Sequence, residues 1–201
     1  TLINLIPRYY DVTAGQVLVD GVNVKEYTEE ALHDKMGFIP QKPVMFNGTI
    51  RSNLAFGTNA HGDMSDEDLM AAARIAQAEE FMLKDPEGLN AEVSQGGLNL
   101  SGGQKQRLAI ARAIARKPEI LVFDDSFSAL DYKTDRVLRD TLKRETAETT
   151  KLIVAQRIGT IIDADQIIVL DKGKVVGRGT HDELMASNEV YQEIAYSQLS
   201  K

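Results

Sequence analysis

The run Ile120-Leu121-Val122-Phe123, closed by Asp124-Asp125, constrains the fold more than any other stretch of this 201-residue chain. Four consecutive apolar residues leave no solvent face, the pattern of a strand buried on both sides in a parallel sheet. Further strand candidates are Met36 to Ile39, stopped by Pro40, then Leu152 to Ala155 and Gln166 to Leu170. Helical patterns stand between them: Ser65 to Leu83 with Ser65 as cap, Lys105 to Arg116, and Tyr132 to Glu145. Strands alternating with helices predict an α/β sheet. Gln16 to Val24 alternates around Asp20-Gly21, a hairpin signal, and Lys172-Gly173 marks a turn before Val175-Val176. Two helices are expected at the C-terminal end. Residues 43–117 are mostly helical and read as a lobe set between two parts of one core, 1–42 and 118–201.

Composition removes several classes of function. The chain has 23 basic and 30 acidic residues, a net charge of −7, which argues against a broad nucleic-acid surface. It has no cysteine, so disulfides, thiolate metal sites and thiol nucleophiles are excluded together. Three scattered histidines do not suggest a metal cluster. No apolar run approaches the roughly 18–20 residues of a membrane span, and no signal peptide opens the chain, so it reads as soluble and cytosolic. The first residues, Thr1 to Ile6, are already a helical apolar pattern without a start methionine or cap, as expected of a piece of something longer.

Five short constellations could carry chemistry. Asp124 and Asp125 end a buried strand, the edge at which open α/β sheets bind ligands. One carboxylate can hold a magnesium ion through water while the next orients an attacking water, although a pair of solvated acids would look the same. Gln41 follows a strand and Pro40, so its amide could reach a metal or water at that edge. In Leu100-Ser101-Gly102-Gly103-Gln104-Lys105-Gln106-Arg107, Ser101 is a good N-cap and the glycines let a phosphate approach the helix start. A helix start that needs small residues for packing is the plain alternative. Ser128-Ala129-Leu130-Asp131 could bring a carboxylate into an interface, or Asp131 could simply cap a helix. Gln156, after the strand Leu152 to Ala155, sits at another sheet edge.

The order of these pieces resembles the nucleotide-binding domain of ATP-binding cassette (ABC) transporters over nearly the whole chain. Gln41 matches the family's Q-loop, Leu100 to Gln104 its signature, Ile120 to Asp125 its Walker B segment, Ser128 to Asp131 its D-loop, and Gln156 its H-loop position. The stretch Val44 to Leu54 looks like exporter-type domains, which are joined to a six-helix membrane domain. The resemblance implies a P-loop NTPase-like α/β fold with a parallel core sheet, a small antiparallel part and a helical subdomain. It also implies ATP and Mg2+ as ligands and a position on the cytoplasmic face of the cell membrane. Gln41 and Asp124 would serve the metal; Thr1, Gln41, Ser101, Gly102, Gly103, Gln104 and Asp131 would serve the nucleotide; and Asp125, Gln156 and Gln41 occupy the catalytic positions.

Three departures from the family pattern qualify the resemblance. The phosphate loop Gly-x-x-x-x-Gly-Lys-Ser/Thr does not occur, and Thr1-Leu2 resembles the residues just after its lysine and first hydroxyl residue, so the isolated piece is expected to bind ATP poorly and hydrolyse essentially none. Asp125 stands where active members carry glutamate, one methylene longer, and a base must first be within reach. Gln156 replaces a histidine and cannot carry positive charge. Family domains pair head to tail, with each ATP between one chain's phosphate loop and the other's signature. The resemblance therefore implies a heterodimer in which this chain's intact signature completes the partner's site while its own is slow. The alternatives are a nucleotide-gated dimerisation module without catalysis, or a soluble ABC ATPase of translation or repair.

Overall fold

A computed structural model of the chain describes residues 2–57 and 62–199. Leu2–Leu5 forms a single 3-10 turn rather than the opening of an α-helix, and Arg8, at φ 59, turns the chain away from it. Leu18–Val19 (β1) pairs antiparallel with Val22–Asn23 (β2). The connecting Asp20 and Gly21 have φ of 51 and 77, the left-handed pair that a two-residue hairpin turn demands. Glu29–Asp34 (α1), capped by the Thr28 hydroxyl, leads directly into Met36–Ile39 (β3).

The helical part between 43 and 117 is less uniform than the periodicity predicts. Gly48–Thr49 (β4) pairs antiparallel with Glu92–Val93 (β5), and Ile50–Leu54 (α2) starts at a Thr49/Ser52 capping box. The single helix expected over 65–83 is broken in two, Asp66–Ile75 (α3) and Glu79–Met82 (α4). The break lies at Gln77, whose φ is 58. Arg107 holds it there: its guanidinium donates to the Gln77 carbonyl at 2.7 Å and lies over the Phe81 ring at 4.8 Å.

Gly102–Ala115 (α5) is the centre of the packing. It lies against α2, α3 and β3, and buries Gln106, Leu108, Ala109, Ile110, Ala111, Ala113, Ile114 and Ala115. It is thus covered on several sides, not amphipathic with one apolar stripe as its sequence suggests; small alanines let neighbours approach all round. At Gly37 a Cβ would meet Leu121 Cδ2 at 2.8 Å and the Ala113 carbonyl oxygen at 3.1 Å. Gly37→Ala should therefore cost about 1–3 kcal/mol through overpacking, read as a lowered thermal midpoint. Arg112 is half-buried in this packing and, among the described residues, has no carboxylate partner. It donates to the Asn53 and Val44 carbonyls at 2.6 and 3.0 Å, and burial pushes its pKa down to about 10, so it stays charged at neutral pH. Asn53, itself fully buried, binds both the N–H and the carbonyl of Phe46, which fixes the course of the loop after β3.

Ile120–Asp124 (β6) carries the apolar run as expected, with Leu121, Val122 and Phe123 almost wholly buried. It pairs parallel with β3, Ile39 beside Phe123. Tyr132–Glu145 (α6) follows, capped by Asp131, and then Thr150–Val154 (β7), two residues earlier than expected. The sheet order is β3-β6-β7. The fold is thus α/β with a parallel core pair and small antiparallel pieces.

The chain divides into two compact units, the first ending at Leu152 and the second beginning at Ile153. In the second, Ile158–Ile161 (α7) precedes the antiparallel pair Ile167–Asp171 (β8) and Lys174–Gly179 (β9), joined at Lys172 and Gly173 with φ of 47 and 77. His181–Ser187 (α8) and Glu189–Leu199 (α9) close it. Ile167 and Val169 of β8 pack with Leu184 and Tyr191 of these helices. Among the described residues no helix is long and apolar enough to cross a membrane.

Candidate functional site

The parallel pairing of β3 with β6 determines which loop residues meet. Because Ile39 lies beside Phe123, the residues that follow each strand leave the sheet together. Gln41 Nε2 donates to Asp125 Oδ2 at 2.9 Å. Asp125 is only 8% exposed and has φ 49, a left-handed conformation that aspartate tolerates better than most residues. Its carbonyl accepts from the Ser128 hydroxyl at 2.8 Å, which tightens the turn leading to α6. Asp124, the last residue of β6, is half-buried.

Two side chains that the sequence did not single out fasten the Gln41 loop. The Ser126 hydroxyl donates to the Ile39 carbonyl at 2.8 Å, and the Gln106 amide lies 3.5 Å from the Pro40 carbonyl. Both side chains are fully buried, and among the described residues Gln106 Oε1 has no hydrogen-bond partner. The available signal for Gln106 was a lone amide inside a helix otherwise apolar at that spacing; Ser126 offered none.

The other group of candidates gathers at the start of α5. Ser101 Oγ accepts from the Gln104 N–H at 3.2 Å, and Gln104 Oε1 accepts from the Ser101 N–H at 2.8 Å, a reciprocal capping box. Gly102 and Gly103 take ordinary helical dihedrals. A Cβ on Gly102 would meet nothing within 4 Å; one on Gly103 would make ordinary contact with the Ala129 carbonyl oxygen at 3.7 Å. The 128–131 segment therefore lies beside the helix start. Asp131 caps α6: Oδ1 accepts from the Thr134 N–H at 3.0 Å and Oδ2 from the Thr134 hydroxyl at 2.6 Å, and the hydroxyl bond above all lowers its pKa.

Gln156 belongs to the second unit, two residues past β7. Its carbonyl accepts from Gln198 Nε2 at 2.7 Å, while Gln198 Oε1 accepts from the Ile158 N–H at 2.8 Å, so one amide of α9 clips both sides of this loop. Thr1 lies outside the described residues.

The donors at the strand ends are all oxygens: the Asp124 and Asp125 carboxylates and the Gln41 amide. No group of three or more His, Cys, Asp or Glu side chains gathers among the described residues. Such a sparse oxygen set fits Mg2+, which keeps most of its shell as water and phosphate.

Residues 1–128 match the family model described as ABC transporter. An ABC transporter ATP-binding protein of Mycobacterium bovis is 48% identical over 198 residues, covering 98% of this chain and 34% of that protein. A Staphylococcus aureus protein named for multidrug export, an ATP-binding/permease protein, is 41% identical over 194 residues, covering 96% of this chain and 33% of its own length. A solved structure described as a bacterial Atm1-family ABC exporter with ATP bound superposes with a TM-score of 0.92 at 36% identity, covering 100% of this chain and 35% of that one. The chain spans about a third of the length of the curated relatives it matches.

Proposed function

Because this chain belongs to the ABC transporter family, we propose that it is the ATP-binding domain of an exporter, coupling ATP binding and hydrolysis at a dimer interface to transport. The observation that carries this reading is the bare start of α5. Gly102 and Gly103 have dihedrals open to any residue and room for a Cβ. Each glycine costs roughly 0.5–1 kcal/mol relative to alanine in a helix, and packing gives no reason to accept that. Exposed N–H groups at the positive end of a 14-residue helix suit a phosphate. Ser101, whose oxygen already accepts within the cap, can donate its hydroxyl proton to the same group.

In this reading Ser101, Gly102, Gly103 and Gln104 meet ATP held by a second nucleotide-binding domain, with Asp131 beside them at the interface. Gln41 and Asp124 serve Mg2+ on this chain's own nucleotide; the ion supplies charge compensation on the phosphates. Asp125 and Gln156 stand in for the base and the histidine, so this chain's own site is slow and the partner's is the working one. Residues 43–117 form the helical subdomain, and 1–42 and 118–201 belong to the ATPase core. In the exporter this domain would be joined to a six-helix membrane domain, which places it on the cytoplasmic face of the membrane. The 201 residues alone are inactive for want of a phosphate loop.

Turnover of the full-length protein tests this. Expressed without a second subunit, it should hydrolyse ATP on the order of 10²-fold more slowly than when paired with a subunit carrying glutamate and histidine at the corresponding positions. Equal rates in the two preparations would end the proposal of a slow site.

A further inference from the structure

We infer that Asp125 is a positioning residue for Gln41: its carboxylate decides which end of the Gln41 amide is presented to the nucleotide-bound cation. The inference rests on the proposed function, in which Gln41 serves that cation. A side-chain amide has one donor end and one acceptor end. With Nε2 on Asp125 Oδ2 at 2.9 Å, turning the amide over would set Oε1 against a carboxylate oxygen, acceptor against acceptor. Asp125 is only 8% exposed as a residue, so water would relieve that repulsion poorly. Oε1 is therefore the end left for a hard cation, which binds oxygen and is repelled by an N–H.

The neighbouring contacts fix the approach to Gln41. Ser126 and Gln106 hold the Ile39 and Pro40 carbonyls, so the main chain just before Gln41 is fastened from two buried side chains. Asp125 is itself set by its left-handed φ of 49 and by the Ser128 hydroxyl on its carbonyl. A carboxylate one methylene shorter than glutamate is poorly placed to reach a water and well placed to hold the amide. The residue has exchanged the task of a base for that of an orienter.

The test is a Mn2+ titration of the full-length, ATP-loaded protein, followed by electron paramagnetic resonance, with Mn2+ standing for Mg2+. Asp125→Asn keeps the shape but offers Gln41 both a donor and an acceptor, so either amide orientation is satisfied. It should weaken Mn2+ binding about 10-fold, the lower range for partners one layer out from a metal. Gln41→Ala should weaken it as well, and Asp125→Asn should add nothing in the Gln41→Ala background. Gly37→Ala, which strains the same strand, should lower the thermal midpoint and leave Mn2+ binding alone, which separates positioning from general loosening. Additive effects, or an Asp125→Asn protein with unchanged Mn2+ binding beside a weakened Gln41→Ala, would overturn the inference and leave the role of Gln41 standing. Unchanged binding in Gln41→Ala would remove the role of Gln41 and the inference with it.

Discussion

Replacing Gly103 with alanine in the full-length protein should make the domain more stable and the assembly far slower in ATP turnover. The two effects have separate origins. Gly103 lies in the first turn of α5 with helical dihedrals, and its added methyl would rest at 3.7 Å from the Ala129 carbonyl oxygen, an ordinary contact. Alanine there gains roughly 0.5–1 kcal/mol from the smaller backbone entropy of the unfolded chain. For a domain of this size that raises the thermal midpoint by about 2–4 °C per kcal/mol.

The loss of turnover follows from the added bulk at the helix start. In the proposed function the phosphate comes up to the backbone there, and a methyl on Gly103 would hold it off. Removing one preorganised donor of this kind costs about 10²–10³-fold in rate, and turnover should fall by a similar amount. Calorimetry and a steady-state ATPase assay on the same preparation check both halves. A stabilised variant with full turnover would show that the bare helix start has no part in catalysis. A destabilised variant would mean that α5 starts differently from the arrangement described above. Gly102→Ala, with open space around its Cβ, is the companion variant.

Local chemistry made much of this architecture legible. The apolar runs at Met36 to Ile39 and Ile120 to Phe123 declared two buried strands, because they are short, have a stop (Pro40) or a polar pair (Asp124-Asp125) right behind them, and are rich in β-branched and aromatic residues. Ser101 and Ser65 declared helix starts, because a hydroxyl before a helical pattern has an obvious use. Long-range contacts left weaker traces. The break at Gln77 carries no glycine or proline; its left-handed turn is held by Arg107, 30 residues away. The meeting of Gln41 with Asp125 spans 84 residues, and the motif order placed both at one sheet edge without revealing that they touch. Gln106 was hard to see, since it looks like another polar letter in a basic tail, yet it turns inward to the loop that delivers Gln41.

Changing Asp125 to glutamate and Gln156 to histidine together should raise ATP turnover of the full-length protein, expressed without a second subunit, by on the order of 10²-fold or more. Glutamate restores the methylene that a base needs to reach its water, and distance limits a base before its acidity does. Histidine restores a group that can donate a hydrogen bond and also carry positive charge, which glutamine cannot. Each change alone should recover much less, because a base without its cationic companion, or the reverse, leaves the transition-state charge poorly served. The glutamate is not without cost: position 125 has φ 49, where aspartate is better tolerated. The longer side chain must also leave the Gln41 amide. Mn2+ binding should therefore weaken in Asp125→Glu even as turnover rises in the pair, a divergence expected only if Asp125 orients Gln41 and the lost base is what slows the site. A double variant as slow as the parent would mean that Asp125 and Gln156 are not what limits hydrolysis.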